Sequence, residues 1–339
     1  AGATHGDLSG DAQWCPGGRR LRRSQSGLPV IAATRPFIEN FIEERVRKLS
    51  NVRYIADTVV AGVRFENAKV AGIVLRDRDG EERVEQADLI ADASGRASEF
   101  PKWLANAGFG QVPEERITVG LRYATARFRR STARDLKLKA AIVGASKLQP
   151  RGGIAQAVED DILQVSMAEY ADAPPTTVEE FVEYAKTLPQ PDLYDWMQGA
   201  EPIDGIRTQR IEASYRRYYH RMRLPEGFVA VGDAVCAFNP VYAQGMTVAA
   251  VEAELLGEQL VKGKRKLTGR YFRAIRGVTD ITWQIGSTND LGLEQVQGKR
   301  TLATRLIGSW INRVQEAGTV DPYIAERFIR VAALLDAPT

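Results

Sequence analysis

Gly232, Asp233 and Ala234 follow a short, fully apolar run, Phe228–Val231. Asn239–Pro240 comes next, and Gln244-Gly245-Met246-Thr247 then opens a long stretch dense in Ala and Leu. A short apolar run ending in Gly-Asp reads as a buried parallel strand. Asp233 therefore stands at a strand's carboxyl end, Pro240 in a loop and Gly245 at a helix N-terminus. An aspartate so placed accepts hydrogen bonds from sugar or sugar-alcohol hydroxyls. The first turn of a helix offers N–H groups and a partial positive charge to an anion. Gly245 lets a flat ring approach the backbone closely. The set suits a flat, sugar-linked group with a negative edge, such as a reduced flavin. The other reading of the same residues is an ordinary strand–loop–helix with a surface aspartate.

Few other side chains could carry redox or metal chemistry. The 339 residues include two His, His5 and His220, and two Cys, Cys15 and Cys236. Cysteines so far apart exclude a disulfide scaffold, a zinc ribbon and a C-x-x-C redox site. Two histidines exclude a multi-histidine metal centre, and no metal ligand is assigned. A cofactor must then carry any redox chemistry. His220, after Tyr218–Tyr219, reads as structural, and Cys236 as a buried, inert thiol. The net charge of +3 gives no case for nucleic-acid binding. Apolar residues at 44% and charged ones at 26% are ordinary for a soluble globular chain. The length corresponds to about two domains. No apolar run reaches the roughly 18–20 residues of a membrane span. Ala1–Gly10 lacks the apolar core of a signal peptide, and the cysteine usage points to the cytoplasm.

The flanking pattern supplies the elements that must hold such a site. Thr34, with Arg35–Pro36 behind it, predicts an N-capped helix over 35–49. Strand-like runs follow at Val52–Ile55, Thr58–Glu66 and Val70–Arg76, with an Asp79–Gly80 hairpin turn into Val84. Ala87–Ala91 is an apolar strand ending in Asp92-Ala93-Ser94-Gly95-Arg96, and a helix is expected from Ser98 to Ala107. Alternation from Ile117 to Arg130 predicts a long half-exposed strand. Further strands are expected near 139–143, 153–158, 162–167 and 203–212, with a helix over 178–187. The tail from Leu267 to Leu335 reads as helical, with breaks near Gly286–Gly292 and Gly318–Pro322. Gly17–Gly27, with Arg19, Arg20, Arg22 and Arg23, reads as a solvated basic loop.

The segment from Gly232 to Thr247 resembles the Gly-Asp motif of FAD-dependent monooxygenases of the aromatic-hydroxylase and epoxidase-like class. That motif runs Gly-Asp-Ala, a proline six or seven residues on, then Gly-x-Gly opening a helix; here Ala243 replaces the first of those glycines. Asp92-Ala93-Ser94-Gly95-Arg96-Ala97-Ser98 resembles the family's second motif, which serves FAD and NAD(P)H. Its alternative reading is a strand-to-helix turn capped by Ser98. Thr34–Glu39 resembles the helix start whose arginine, here Arg35, contacts FAD near its pyrophosphate. The resemblance implies that Pro240 lies beside the flavin and that the N–H groups of Met246 and Thr247 meet its pyrimidine edge. It implies that Asp233 binds the ribityl or pyrophosphate side and that the backbone around Val59 meets the adenine. No acid–base residue is assigned.

The implied fold is α/β: a discontinuous, Rossmann-like FAD-binding domain of the glutathione-reductase type, an antiparallel-sheet substrate domain and a helical C-terminal tail. The expected boundaries are 1–118 with 225–265 for FAD, 119–224 for substrate and 266–339 for the tail. The family opens on a βαβ unit bearing G-x-G-x-x-G, which no segment here matches, so that first βαβ is expected to be missing from the chain. The implied reaction is hydroxylation or epoxidation of an apolar or aromatic small molecule, with NAD(P)H and molecular oxygen as co-substrates. Tyr123 and Thr125 are expected to face that substrate. A flavin-dependent halogenase would carry W-x-W-x-I-P, yet Trp14, Trp103, Trp196, Trp283 and Trp310 never stand two apart. A reductase of prenyl-type double bonds and a non-catalytic binder of apolar ligands are the remaining alternatives.

Overall fold

A computed structural model describes residues 2–130 and 137–338. Strands β1 (Thr4–Asp7), β2 (Ala12–Cys15) and β3 (Pro29–Ala32) precede helix α1 (Arg35–Arg47). Strands β4 (Val59–Glu66), β5 (Lys69–Arg76), β6 (Glu82–Gln86) and β7 (Ile90–Asp92) lead to α2 (Phe100–Asn106). Then come β8 (Glu114–Arg129), β9 (Ala140–Val143), β10 (Arg151–Ala157) and β11 (Ile162–Glu169), followed by α3 (Val178–Lys186) and α4 (Asp192–Met197). Strands β12 (Glu201–Pro202), β13 (Arg207–Arg217), β14 (Phe228–Ala230) and β15 (Cys236–Ala237) precede α5 (Gly245–Val261). Helices α6 (Leu267–Ala274), α7 (Arg276–Asp290), α8 (Leu302–Ala317) and α9 (Pro322–Ala332) complete this α/β chain. Among the described residues no helix is long and apolar enough to cross a membrane.

The chain packs as two compact units, one of Ala1–Leu49, Thr118–Ala213 and Ser287–Thr339, the other of Ser50–Ile117 and Ser214–Gly286. In the first, a sheet runs in the order β13-β8-β11-β10-β9-β2, with β12 also on β8. Neighbours along β8-β11-β10-β9 pair antiparallel, while β2 adds to β9 in parallel. Ala124, Ala126 and Phe128 of β8 join Leu163, Val165 and Met167 of β11 in one buried cluster with Phe181, Leu193 and Trp196 of the covering helices. Residues between them in sequence must point the other way. There Tyr123 donates its hydroxyl hydrogen to Gln209, and the Thr125 and Ser166 hydroxyls meet at 2.7 Å. Helix α3 fits because Thr177 and Glu180 form a reciprocal capping box. A Cβ at Gly153 would come within 2.7 Å of both a Leu193 methyl and the Ser166 carbonyl, so a side chain there would push α4 off the sheet.

The sequence shows no strand signal at β1, β2 or β3, and none for α4. The basic stretch is also more fixed than a solvated loop. Leu21 is buried beneath α9 with Ala325 and Ile329, Arg20 pairs with Asp192, and Arg23 donates to the Gly10 carbonyl. Helix α1 begins where expected, with the Thr34 hydroxyl accepting from Phe37 N, but none of its residues is buried.

In the second unit β4, β5 and β6 form an antiparallel meander. Val52–Ile55 is not a strand. Strands β7 and β14 pair in parallel, Phe228 opposite Ile90 and Ala230 opposite Asp92. Phe228 sits among aromatics: Phe100 stacks on it at 4.3 Å, and Tyr219 and Phe272 approach at 5.6 and 5.9 Å. Tyr271 donates to the Ala230 carbonyl at 2.9 Å. Helix α7 runs on through Gly286 and ends at Asp290, inside the break expected near Gly286–Gly292. Gly286 is a packing glycine, since a Cβ there would touch the Tyr242 ring at 3.6 Å. The strand expected over 203–212 begins later, at Arg207, as β13, with the two-residue β12 ending just before the expected start.

Phe181→Ala removes the ring between α3 and the sheet. The expected cost is about 3–5 kcal/mol, read as a lowered denaturation midpoint; an unchanged midpoint would contradict the packing described.

Candidate functional site

The parallel pairing of β7 and β14 brings two carboxyl ends side by side. Ala230 lies opposite Asp92, and Val231 N donates to the Asp92 carbonyl at 2.9 Å. Everything at the site hangs on these two ends. The Asp92 carboxylate is buried and turned onto its own loop: Ser94 N and Ser94 Oγ donate to one oxygen, and Ser98 Oγ donates to the other. This consumes Ser98, so α2 starts at Phe100 rather than at the serine. Gly95, at a φ of +71°, reverses the chain and sends Arg96 toward the second loop. Arg96 there pairs with Asp233 at 3.2 Å and donates to the Phe238 carbonyl at 2.6 Å.

The second loop is fixed from below. Tyr215 Oη donates toward the carbonyls of Arg96 and Asp233, 3.1 Å from each. Arg217 donates to the Ala234 carbonyl at 2.9 Å and stacks over the Tyr215 ring. Gly232 N donates to Glu252 Oε2 at 2.6 Å. Glu252 is wholly buried in α5, and burial raises its carboxyl to about 7, with the Gly232 N–H opposing and the Asp233 charge reinforcing that rise. Asp233 itself remains 38% exposed at its side chain. The loop thus presents one carboxylate outward while its backbone is held by groups behind it.

Asn239 accepts from Val241 N through its side chain and starts a single turn with Pro240 in first position. Pro240 is exposed. Ala243 then adopts a φ of +53°, the left-handed region, which admits the chain into α5. Helix α5 has no side-chain cap at its N-terminus, and Met246 and Thr247 in its first turn are exposed. A Cβ on Gly245 would sit 3.8 Å from Asp233 Oδ1, so the helix start and the aspartate are neighbours.

The structure therefore gathers Asp92, Asp233 and Gly245 into one loop cluster, with Pro240, Met246 and Thr247 on the segment that enters α5. Val59 lies in the same unit as the first residue of β4, opposite Arg76, and is exposed. Arg35 belongs to the other unit, at the start of α1, paired with Glu39 at 2.7 Å. Cys236 is buried, and burial raises its thiol well above the ordinary range. His220 packs edge-on to Tyr218, away from the motif residues in sequence, and burial followed by the Arg276 charge lowers it. Sequence reasoning missed Tyr215 and Glu252. Glu252 carried no distinct signal, being one of three acids in α5 with Glu254 and Glu258.

Ala243→Gly removes a Cβ from a left-handed position. It is expected to raise stability by up to about 1 kcal/mol, measured by denaturant titration; a loss of similar size would contradict the backbone geometry at this turn.

No family model matches the chain. Protein Rv3254 of Mycobacterium tuberculosis is 31% identical over 335 residues, which cover 94% of this chain and 69% of that protein. Among solved structures, the flavin-dependent brominase Bmp2 superposes with a TM-score of 0.70 at 16% identity, over 98% of this chain and 77% of its own. PqsL, a probable FAD-dependent monooxygenase from Pseudomonas aeruginosa, gives 0.64 at 15% identity, over 86% of this chain and 80% of its own. The flavin-dependent halogenase CmlS gives 0.65 at 15% identity, over 98% of this chain and 65% of its own. The chain belongs to the family of the mycobacterial protein Rv3254, and its fold is the one shared by flavin-dependent halogenases and FAD-dependent monooxygenases.

Proposed function

We propose that this chain is the larger part of an FAD-dependent monooxygenase and that the loop cluster at the ends of β7 and β14 holds the flavin. The observation that carries this reading is the adjacency of Asp233 to an uncapped helix start, with Gly245 between them. The residues fit the group. An outward carboxylate can accept from ribityl hydroxyls, the bare Gly245 would admit a flat ring, and the N–H groups of Met246 and Thr247 would serve its anionic edge. Pro240 would border the ring, with no N–H to donate to it. FAD would supply the electron transfer and oxygen activation that two histidines and two buried thiols do not.

Each supporting residue has a distinct task in this reading. Asp92 keeps its loop folded through Ser94 and Ser98 rather than reaching the cofactor. Arg96 orients the Asp233 carboxylate and balances its charge. The resemblance assigns Arg35 to the pyrophosphate and the backbone at Val59 to the adenine. The β7–β14 pair is then part of a discontinuous Rossmann-like FAD domain. The G-x-G-x-x-G loop which that domain requires is not within these residues. The substrate is an apolar or aromatic small molecule, and it uses the sheet face bearing Tyr123 and Thr125. NAD(P)H is the reductant and oxygen the second substrate.

The test is FAD binding to the intact protein, followed visually by its flavin absorbance and quantitatively by titration. Asp233→Ala is expected to lose about 1.5–3 kcal/mol, roughly tenfold or more in Kd. Intact protein that takes up no FAD would overturn the reading. With cofactor bound, substrate-dependent consumption of oxygen and NAD(P)H supports the monooxygenase. Anaerobic saturation of a double bond would instead assign the reductase.

A further inference from the structure

Glu252 is a fully buried carboxyl of the second unit. Its side chain has no exposure, and Oε2 accepts from Gly232 N at 2.6 Å while Oε1 has no partner among the described residues. The titratable groups electrostatically linked to it lie on three elements: Asp233 in the loop after β14, Cys236 in β15 and Tyr271 in α6. None of these is a cation, and Glu252 forms no ion pair among the described residues. An unpaired carboxylate in such a place costs far more than a neutral carboxyl.

The hydrogen bond it accepts is equally specific. Gly232 has a φ of +60°, and a Cβ there would touch Ala249 one turn earlier on α5. The peptide that Glu252 holds therefore sets the direction in which the next residue, Asp233, leaves the strand. We propose that Glu252 is the positioning residue of the Gly232–Asp233 turn and that it does so as a neutral, proton-carrying carboxyl. This deepens the flavin reading above, because the carboxylate it aims is the one assigned to the cofactor. Burial and the nearby Asp233 charge both raise its proton affinity, in the direction the proposal needs.

An acid whose affinity for its proton is higher folded than unfolded takes up a proton on folding. Its favourable contribution is complete at low pH and is lost as pH rises, from the ordinary value of 4.5 to about 7. Glu252→Gln keeps an acceptor for Gly232 N and cannot ionise. Glu252→Leu keeps the bulk and removes the acceptor.

The experiment measures thermal midpoints from about pH 5 to about pH 8, together with FAD affinity at both ends, on the intact protein. Glu252→Gln is expected to match the parent near pH 5, to exceed it by several degrees near pH 8, and to bind FAD within about threefold. Glu252→Leu is expected to bind FAD about tenfold more weakly or worse, at both pH values. A Glu252→Gln variant whose midpoint follows the parent's pH dependence would overturn the proton assignment. A folded Glu252→Leu variant with parental FAD affinity would overturn the positioning role. If the parent protein binds no FAD, the flavin reading fails by itself, and the pH dependence still decides whether Glu252 carries the proton.

Discussion

The parallel pairing of two three-residue strands, β7 and β14, is the constraint on which the second unit depends. Parallel strands end on the same edge, so the loops that follow them are forced into contact. Here those loops are Asp92–Ser98 and Gly232–Asn239, and their meeting is sealed by Arg96, which reaches Asp233 and the Phe238 carbonyl together. Two strands this short could not stand alone. Their stability comes from the aromatic packing around Phe228 and from Tyr271, whose hydroxyl donates to the last carbonyl of β14. The same edge is where open parallel sheets bind their ligands.

Around this edge, polar groups divide into those that build the loops and those that face outward. Asp92, Tyr215, Arg217 and Glu252 are buried or nearly so and spend hydrogen bonds on backbone or on loop serines, and Arg217 also pairs with Glu114. Asp233, Pro240, Met246 and Thr247 keep exposed surface on the segments so fixed. A rigid rear wall with an adaptable front is the arrangement expected of a preorganised site. It also explains why a strained residue such as Ala243 persists: the surrounding turn and α5 over-determine its conformation.

How much of this was legible in the sequence varied with the kind of signal. The strand before Gly232, the helix opened by Gly245 and the β4–β6 meander were all written in local pattern, and so was the capped start of α1. Strands β1–β3 were not, because four-residue strands such as Thr4–Asp7 gain their stability from partners remote in the chain. The break near Gly286–Gly292 was legible too, although Gly286 itself answers the Tyr242 ring and α7 stops four residues later. The motif residues could be picked out as a set, but not their division of labour. Asp92 and Asp233 look alike in sequence, and only the loop geometry turns one inward onto Ser98 and the other outward beside Gly245. Tyr215 and Glu252 act on backbone atoms, a role that leaves almost no trace in residue spacing.

The central claim is that the loop edge formed by β7, β14 and the start of α5 is the flavin-binding surface. The most direct measurement is amide hydrogen exchange of the intact protein with and without FAD, followed peptide by peptide. The account predicts slowed exchange on adding FAD at Gly232–Asp233 and at Gly245–Thr247. FAD binding that leaves both segments at their unliganded exchange rates would contradict it.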